Sequence, residues 1–168
     1  IDGSTGSFAD FKANPNEYVS DFQKFANVAD VFIAGHFYFF VSPKILTKEM
    51  LNGAHNAIKV VADISCDIDG PIDSTLRAST IADPFYGYYP RENQEVSIEH
   101  PAAVVVMAVD NLPCELPKDA SEGFGEMFMQ HIIPSFFNGD RDNILSRGTI
   151  CENGKLTERF KYLEDYVK

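Results

Sequence analysis

Residues 58–63, Ile58-Lys59-Val60-Val61-Ala62-Asp63, decide the fold. A mostly apolar run of this length, bounded by polar residues, is strand-sized and too short for a helix of its own. Two more runs have the same character: Asp30-Val31-Phe32-Ile33-Ala34-Gly35 and Ala102–Ala108, AAVVVMA. None of the three alternates apolar with polar, which is the pattern of strands buried on both faces of a parallel sheet. Helical signals lie around them. Asn14 can cap a helix with Pro15 at its first position and Glu17 in a capping box, and Tyr18, Phe22 and Phe25 then form one stripe ending near Asn27. Thr47 can cap Lys48–Leu51, closed by Asn52-Gly53, and Asp119–Phe137 reads as the longest helix, bent or shortened by Pro134. Its apolar face carries Phe124, Phe128, Ile132 and Phe136. Thr157–Val167 reads as a charged terminal helix, Asn153-Gly154 as a turn, Ile1–Ala13 as a loop and Tyr86–Arg91 as part of an irregular middle. Strands alternating with helical segments make βαβ units. The expected class is α/β.

The 168 residues suffice for one ordinary domain or slightly more, and 45% hydrophobic against 23% charged is a folding composition. Fourteen Lys and Arg against 25 Asp and Glu give a formal charge of -11. Such a surface repels phosphate backbones and anionic lipid, so no nucleic-acid or membrane partner is expected. Cys66, Cys114 and Cys151 form no CxxC pair, and three cannot all pair in disulfides. This usage fits a reducing cytosol and no structural zinc. The chain opens IDGSTGSF, without Met or a signal peptide, and is expected to be part of something longer.

In a parallel sheet, ligands bind beyond the carboxyl ends of the strands. The three exits read Gly35-His36-Phe37-Tyr38, Asp63-Ile64-Ser65-Cys66-Asp67 and Val109-Asp110-Asn111-Leu112-Pro113. Taken alone these are also ordinary turn residues. There is no GxGxxG, Walker A loop, HExxH or GxSxG, and His36, His55, His100 and His131 are scattered. Cys66 lies among carboxylates that raise a thiol's pKa, a poor setting for a nucleophile. Asp63, Asp67, Asp69 and Asp73 lack the spacing of a calcium loop and read as a solvated acidic turn. No metal site is expected.

Val60–Asp67, VVADISCD, resembles the strand exit "VDVSAD" of the saccharopine dehydrogenase and lysine–2-oxoglutarate reductase family, relatives of alanine dehydrogenase and of the soluble part of transhydrogenase. Asp10–Val19 looks like the family's segment before a Rossmann strand, Asp30–Tyr38 looks like that strand and its exit loop, and Leu46–Leu51 is similar to the helix start that follows. Thr80–Phe85 resembles the family's "TTIEHPF" stretch. Val109-Asp110-Asn111-Leu112-Pro113, with Leu116-Pro117 and Ala120-Ser121-Glu122, resembles its "IDNLP…LP…AS/TE" signature. These similarities run in order over about residues 10–137.

The resemblance implies a partial Rossmann-like parallel sheet with flanking helices, lacking the glycine-rich first βαβ half. Residues 1–112 would be the second half of a dinucleotide-binding domain, and 113–168 a helical return toward the substrate domain. It implies NAD or NADP as cofactor, with Ile64, Val109, Asp110, Asn111 and Leu112 beside it. Ser65, Cys66 and Asp67 would face an amino-acid substrate formed from lysine and 2-oxoglutarate. No residue here matches the family's catalytic acid–base pair, so the isolated chain is expected to be inactive. Its partners would be that substrate and the remainder of its own polypeptide, in the cytoplasm or, in a eukaryote, the mitochondrial matrix. Two alternatives stand beside this one: an alanine dehydrogenase or transhydrogenase-like enzyme, whose third exit reads like "NMPG", and an acidic interaction module without chemistry. A half-sheet with an open edge also invites self-association, most simply through the aromatic run His36–Phe40.

Overall fold

The computed structural model describes residues 6–36, 38 and 42–167. It divides between Glu115 and Leu116 into two compact units. The first is α/β, compatible with a partial Rossmann-like fold. Its elements run α1 (Phe8–Ala13), a 3-10 turn (Pro15–Glu17), α2 (Gln23–Ala26), β1 (Val31–Ala34), α3 (Lys48–Leu51) and β2 (Val60–Asp63). Then follow β3 (Phe85–Tyr89), β4 (Gln94–Val96) and β5 (Val104–Met107). The strand order in space is β1-β2-β5-β3-β4.

The three apolar runs are parallel neighbours, with Val31 opposite Val60 and Val60 opposite Val105. The sheet is not wholly parallel, however. Residues expected to be irregular form β3, antiparallel to β5 and joined to β4 as a hairpin. Phe85-Tyr86-Gly87-Tyr88-Tyr89 has strong strand propensity, and the turn after it is fixed by Tyr88, whose hydroxyl donates to Asn93 Oδ1 at 2.7 Å. Arg77, from the segment before the hairpin, grips Glu95 of β4 with two 2.8 Å bonds.

Nor are both faces equally covered. Phe32, Val61, Val106 and Tyr86 share one face, and the last three are buried there with Tyr88, Val104, Leu46, Leu51, Ile58 and Ile72. On the other face Ile33 is 63% and Phe85 51% exposed, while Ala62 and Met107 between them are half-buried. An apolar run by itself does not tell one covered face from two.

Local signals were kept or overruled according to what each end could bond. Thr47 caps α3, its Oγ1 accepting from the Met50 amide. The region read as a lead-in loop contains α1 instead, because Ser7 Oγ accepts from the Asp10 amide and Phe11 stacks edge-on against Tyr18 at 5.2 Å. Asn14 makes no side-chain cap to the turn after it; its amide closes α1 on the Asp10 carbonyl. Tyr18 is extended, so the Tyr18-Phe22-Phe25 stripe is not one helix. Of the run His36–Phe40, Phe37, Phe39 and Phe40 lie outside the described residues, as do residues 1–5.

The helices of the second unit are α4 (Pro117–His131), α5 (Ile133–Phe137) and α6 (Ile144–Gly148). The long helix therefore breaks at Ile132, and Pro134 stands in the first turn of the next one, where its missing N–H costs nothing. Asp140 accepts from the Leu145 and Ser146 amides at 2.9 Å each, and that support, chiefly from Ser146, holds its carboxyl below the usual range. Asn153-Gly154 joins β6 (Cys151–Glu152) to β7 (Lys155–Leu156); both turn residues have positive φ, as a two-residue hairpin requires. The charged tail, Glu158–Tyr166, is 3-10 and not α-helical.

Candidate functional site

Because β1, β2 and β5 are parallel neighbours, their carboxyl ends emerge side by side. The second exit is stitched to the first by the Ile64 amide, 2.8 Å from the Ala34 carbonyl, and by Ser65 Oγ, which donates to the His36 carbonyl at 2.7 Å. It is stitched to the third by Cys66 Sγ, which donates to the Ala108 carbonyl at 3.1 Å. The structure thus brings Ile64–Asp67 and Val109–Asn111 together at one edge of the sheet.

The loop after β2 is tightly held. Cys66 has φ 52°, a left-handed conformation that costs a non-glycine residue about 1 kcal/mol or more. Its amide donates to Asp63 Oδ1 at 3.1 Å, and Asp63 Oδ2 accepts from Thr75 Oγ1 at 2.6 Å. The Gly70 amide then closes on the Asp67 carbonyl at 2.9 Å. A Cβ on Gly70 would stand 2.5 Å from Asp67 Cβ and its carbonyl oxygen, so this turn needs glycine. Ser79 holds the third exit, its Oγ accepting from the Ala108 amide at 3.0 Å while its own amide donates to Ala108 O at 2.8 Å.

The acidic set is not one solvated turn. Asp63 is fully buried, and Asp73 is half-buried between Lys44 Nζ at 2.6 Å and the Lys48 amide at 2.7 Å. The period of two in β2 carries the signal: Asp63 shares a face with Val61, and Val61 is core. Thr75 and Ser79, both buried, carried no signal of their own, because their partners lie 12 and 29 residues away.

Each residue singled out from the sequence has a distinct setting. Ile64 is 48% exposed, an apolar side chain standing at the strand end. Asp110 and Asn111 are exposed beyond β5, and Leu112 is half-buried at the start of a 3-10 turn, Leu112–Cys114. Val109 is buried. Ser65 and Cys66 spend their side chains on neighbouring carbonyls. Asp67 is half-buried, and among the described residues its carboxylate takes no hydrogen bond. Among the described residues no three His, Cys, Asp or Glu side chains converge on a metal position. No described helix is long and apolar enough to cross a membrane.

Burial, together with the Asp63, Asp110 and Asp67 carboxylates, pushes the Cys66 thiol up. Less thiolate at a given pH means slower alkylation. Cys114 and Cys151 are exposed, and iodoacetamide at about pH 8 is expected to label both roughly 10-fold faster than Cys66. Peptide mapping of a labelling time course checks this, and a Cys66 that reacts first would contradict the described burial.

No protein-family model matches the chain. Curated proteins do. The chain is 30% identical over 162 residues to an Arabidopsis thaliana alpha-aminoadipic semialdehyde synthase, covering 92% of this chain and 15% of that protein. It is 28% identical over 112 residues to the mitochondrial alpha-aminoadipic semialdehyde synthase of Rattus norvegicus, covering 62% of this chain and 12% of the relative. To the NAD(+), L-lysine-forming saccharopine dehydrogenase of Schizosaccharomyces pombe it is 27% identical over 115 residues, 62% of this chain and 27% of that one. The chain therefore spans a minor part of each relative's length. Homologues of these two kinds match along most of the chain, which is consistent with a partial saccharopine dehydrogenase-family sequence.

Proposed function

We propose that this chain is part of an oxidoreductase of lysine metabolism that uses NAD or NADP and acts on saccharopine, the secondary amine joining lysine to 2-oxoglutarate. One observation carries the reading: an exposed apolar Ile64, the polar pair Asp110 and Asn111, and an uncommitted Asp67 stand on adjacent exits at the carboxyl edge of a parallel three-strand group. That is where an α/β sheet binds a dinucleotide. The side chains suit one. Ile64 offers a wall for a nicotinamide ring, and Asp110 and Asn111 offer hydrogen bonds to ribose hydroxyls or a carboxamide. The bound cofactor would exchange a hydride with the substrate. The chain's own residues do the positioning: Ser65 and Cys66 keep the loop on its neighbours' carbonyls, and Asp67 holds a substrate ammonium.

The remaining polypeptide of such an enzyme would supply the glycine-rich turn and the proton-transfer residues. It would also cover β1, one of the two edge strands of the described sheet, where Val31 is 52% exposed. Left uncovered, that edge favours self-association. The names of mammalian relatives include the word mitochondrial, in keeping with a matrix setting in a eukaryote and a cytoplasmic one otherwise.

The full-length gene product should oxidise NADH or NADPH with lysine plus 2-oxoglutarate, or reduce NAD or NADP with saccharopine, and should be inert with pyruvate plus ammonia. Turnover with pyruvate and ammonia instead would select an alanine dehydrogenase. Binding of neither cofactor would leave a non-catalytic module.

A further inference from the structure

We infer that Asp63, fastened by Thr75, is a positioning residue that sets the geometry of the substrate loop, residues 64–70. The inference rests on the reading of Asp67 given above, and it concerns a residue with no contact to solvent. Asp63 ends β2 on its core face, where a valine or leucine would fill the space without any cost of desolvation. No cation pairs with it among the described residues. Both its oxygens are spent, one on the Cys66 amide and the other on the Thr75 hydroxyl.

The consequence of those two bonds is local and directional. The bond to the Cys66 amide turns the peptide before Cys66 so that this residue holds its left-handed conformation. From there the chain turns at once, Asp67 leads the tight turn to Gly70, and its carboxylate is left free of hydrogen bonds to the described residues. Without an acceptor at Asp63, the left-handed Cys66 keeps only its thiol's bond to the Ala108 carbonyl, and relaxation to an extended conformation would swing Asp67 off the exit. Thr75 completes the device. It comes from the segment between Ile72 and Ser79 that also carries Ser79, so one stretch braces the second and third exits together.

The test uses the full-length gene product and the nearly isosteric Thr75→Val, with Thr75→Ala beside it in case the added methyl disturbs folding. Thr75→Ser restores the hydroxyl. Two readouts are taken: the alkylation rate of Cys66, which needs no substrate, and KM for saccharopine or lysine against KM for the cofactor. T75V and T75A are expected to alkylate at Cys66 about 10-fold faster than the parent and to raise the amino-acid KM about 10-fold, as loss of a buried hydrogen bond to a carboxylate would. Cofactor KM should stay within about twofold, and T75S should match the parent in both readouts. Unchanged Cys66 labelling in T75V and T75A, or a T75S protein as loosened as they are, overturns the inference. So does faster labelling with an unchanged amino-acid KM, since the loop would then be held but not for substrate. A parent enzyme inert toward saccharopine and lysine overturns the functional reading instead, and the labelling series still decides whether Asp63 and Thr75 hold the loop.

Discussion

Gly87→Val is expected to destabilise the sheet unit by about 3 kcal/mol, at the upper end of what overpacking costs. A Cβ at Gly87 would lie 2.6 Å from the Ser97 carbonyl oxygen, 2.8 Å from that of Val96 and 2.9 Å from the Ser97 carbonyl carbon. All three are backbone atoms of the β4 strand and its exit, so no side-chain rotation relieves the clash. Either β4 moves off or β3 shifts along β5. The second outcome reaches the candidate site, because the Tyr86 hydroxyl both donates to the Ser74 carbonyl at 2.8 Å and accepts from the Leu76 amide at 3.0 Å, on either side of Thr75. Chemical denaturation of the variant, with Gly87→Ala as a milder companion, measures the effect. An unchanged midpoint for Gly87→Val would show that the backbone of Val96 and Ser97 does not approach Gly87 this closely.

Asp67→Ala in the full-length gene product is expected to lower kcat/KM for saccharopine by about 100-fold, the scale of losing a carboxylate that faces a desolvated ammonium. Affinity for the cofactor should hardly change. Asp110→Ala should do the reverse, weakening cofactor binding about 10-fold with a smaller effect on the amino-acid KM. The contrast follows from their places: Asp67 is half-buried in the loop after β2, and Asp110 is exposed beyond β5. Steady-state kinetics with each substrate varied in turn, plus cofactor titration by calorimetry, separates the two. If both variants behave as the parent, the sheet edge is not the binding site.

Much of this arrangement was legible in the order of residues. Three apolar runs of strand length, separated by capped or amphipathic segments, were enough for an α/β class and for three parallel strands, because strand burial is written in consecutive side chains. Thr47 and Asn153-Gly154 did what their local chemistry demands, since a cap and a two-residue turn bond only near neighbours. The exits Ile64–Asp67 and Val109–Leu112 were likewise readable as the places where those strands end.

Tertiary structure decided the rest, for one physical reason: it depended on partners distant in the chain. Whether Phe85–Tyr89 is irregular or a strand depended on β5 offering an antiparallel edge. Which face of the sheet is core depended on Leu46, Leu51 and Ile72 packing against Val61 and Val106, and left Ile33 exposed in a run that looked buried throughout. Asp63, one acid among four in sequence, became the buried brace of the loop only when Thr75 arrived beside it. The residue types and the strands were determined by the sequence itself. Which carboxylate is buried and bonded and which takes no hydrogen bond from the described residues was decided by the packing, because a carboxylate's partner is whatever donor stands within about 3 Å of it.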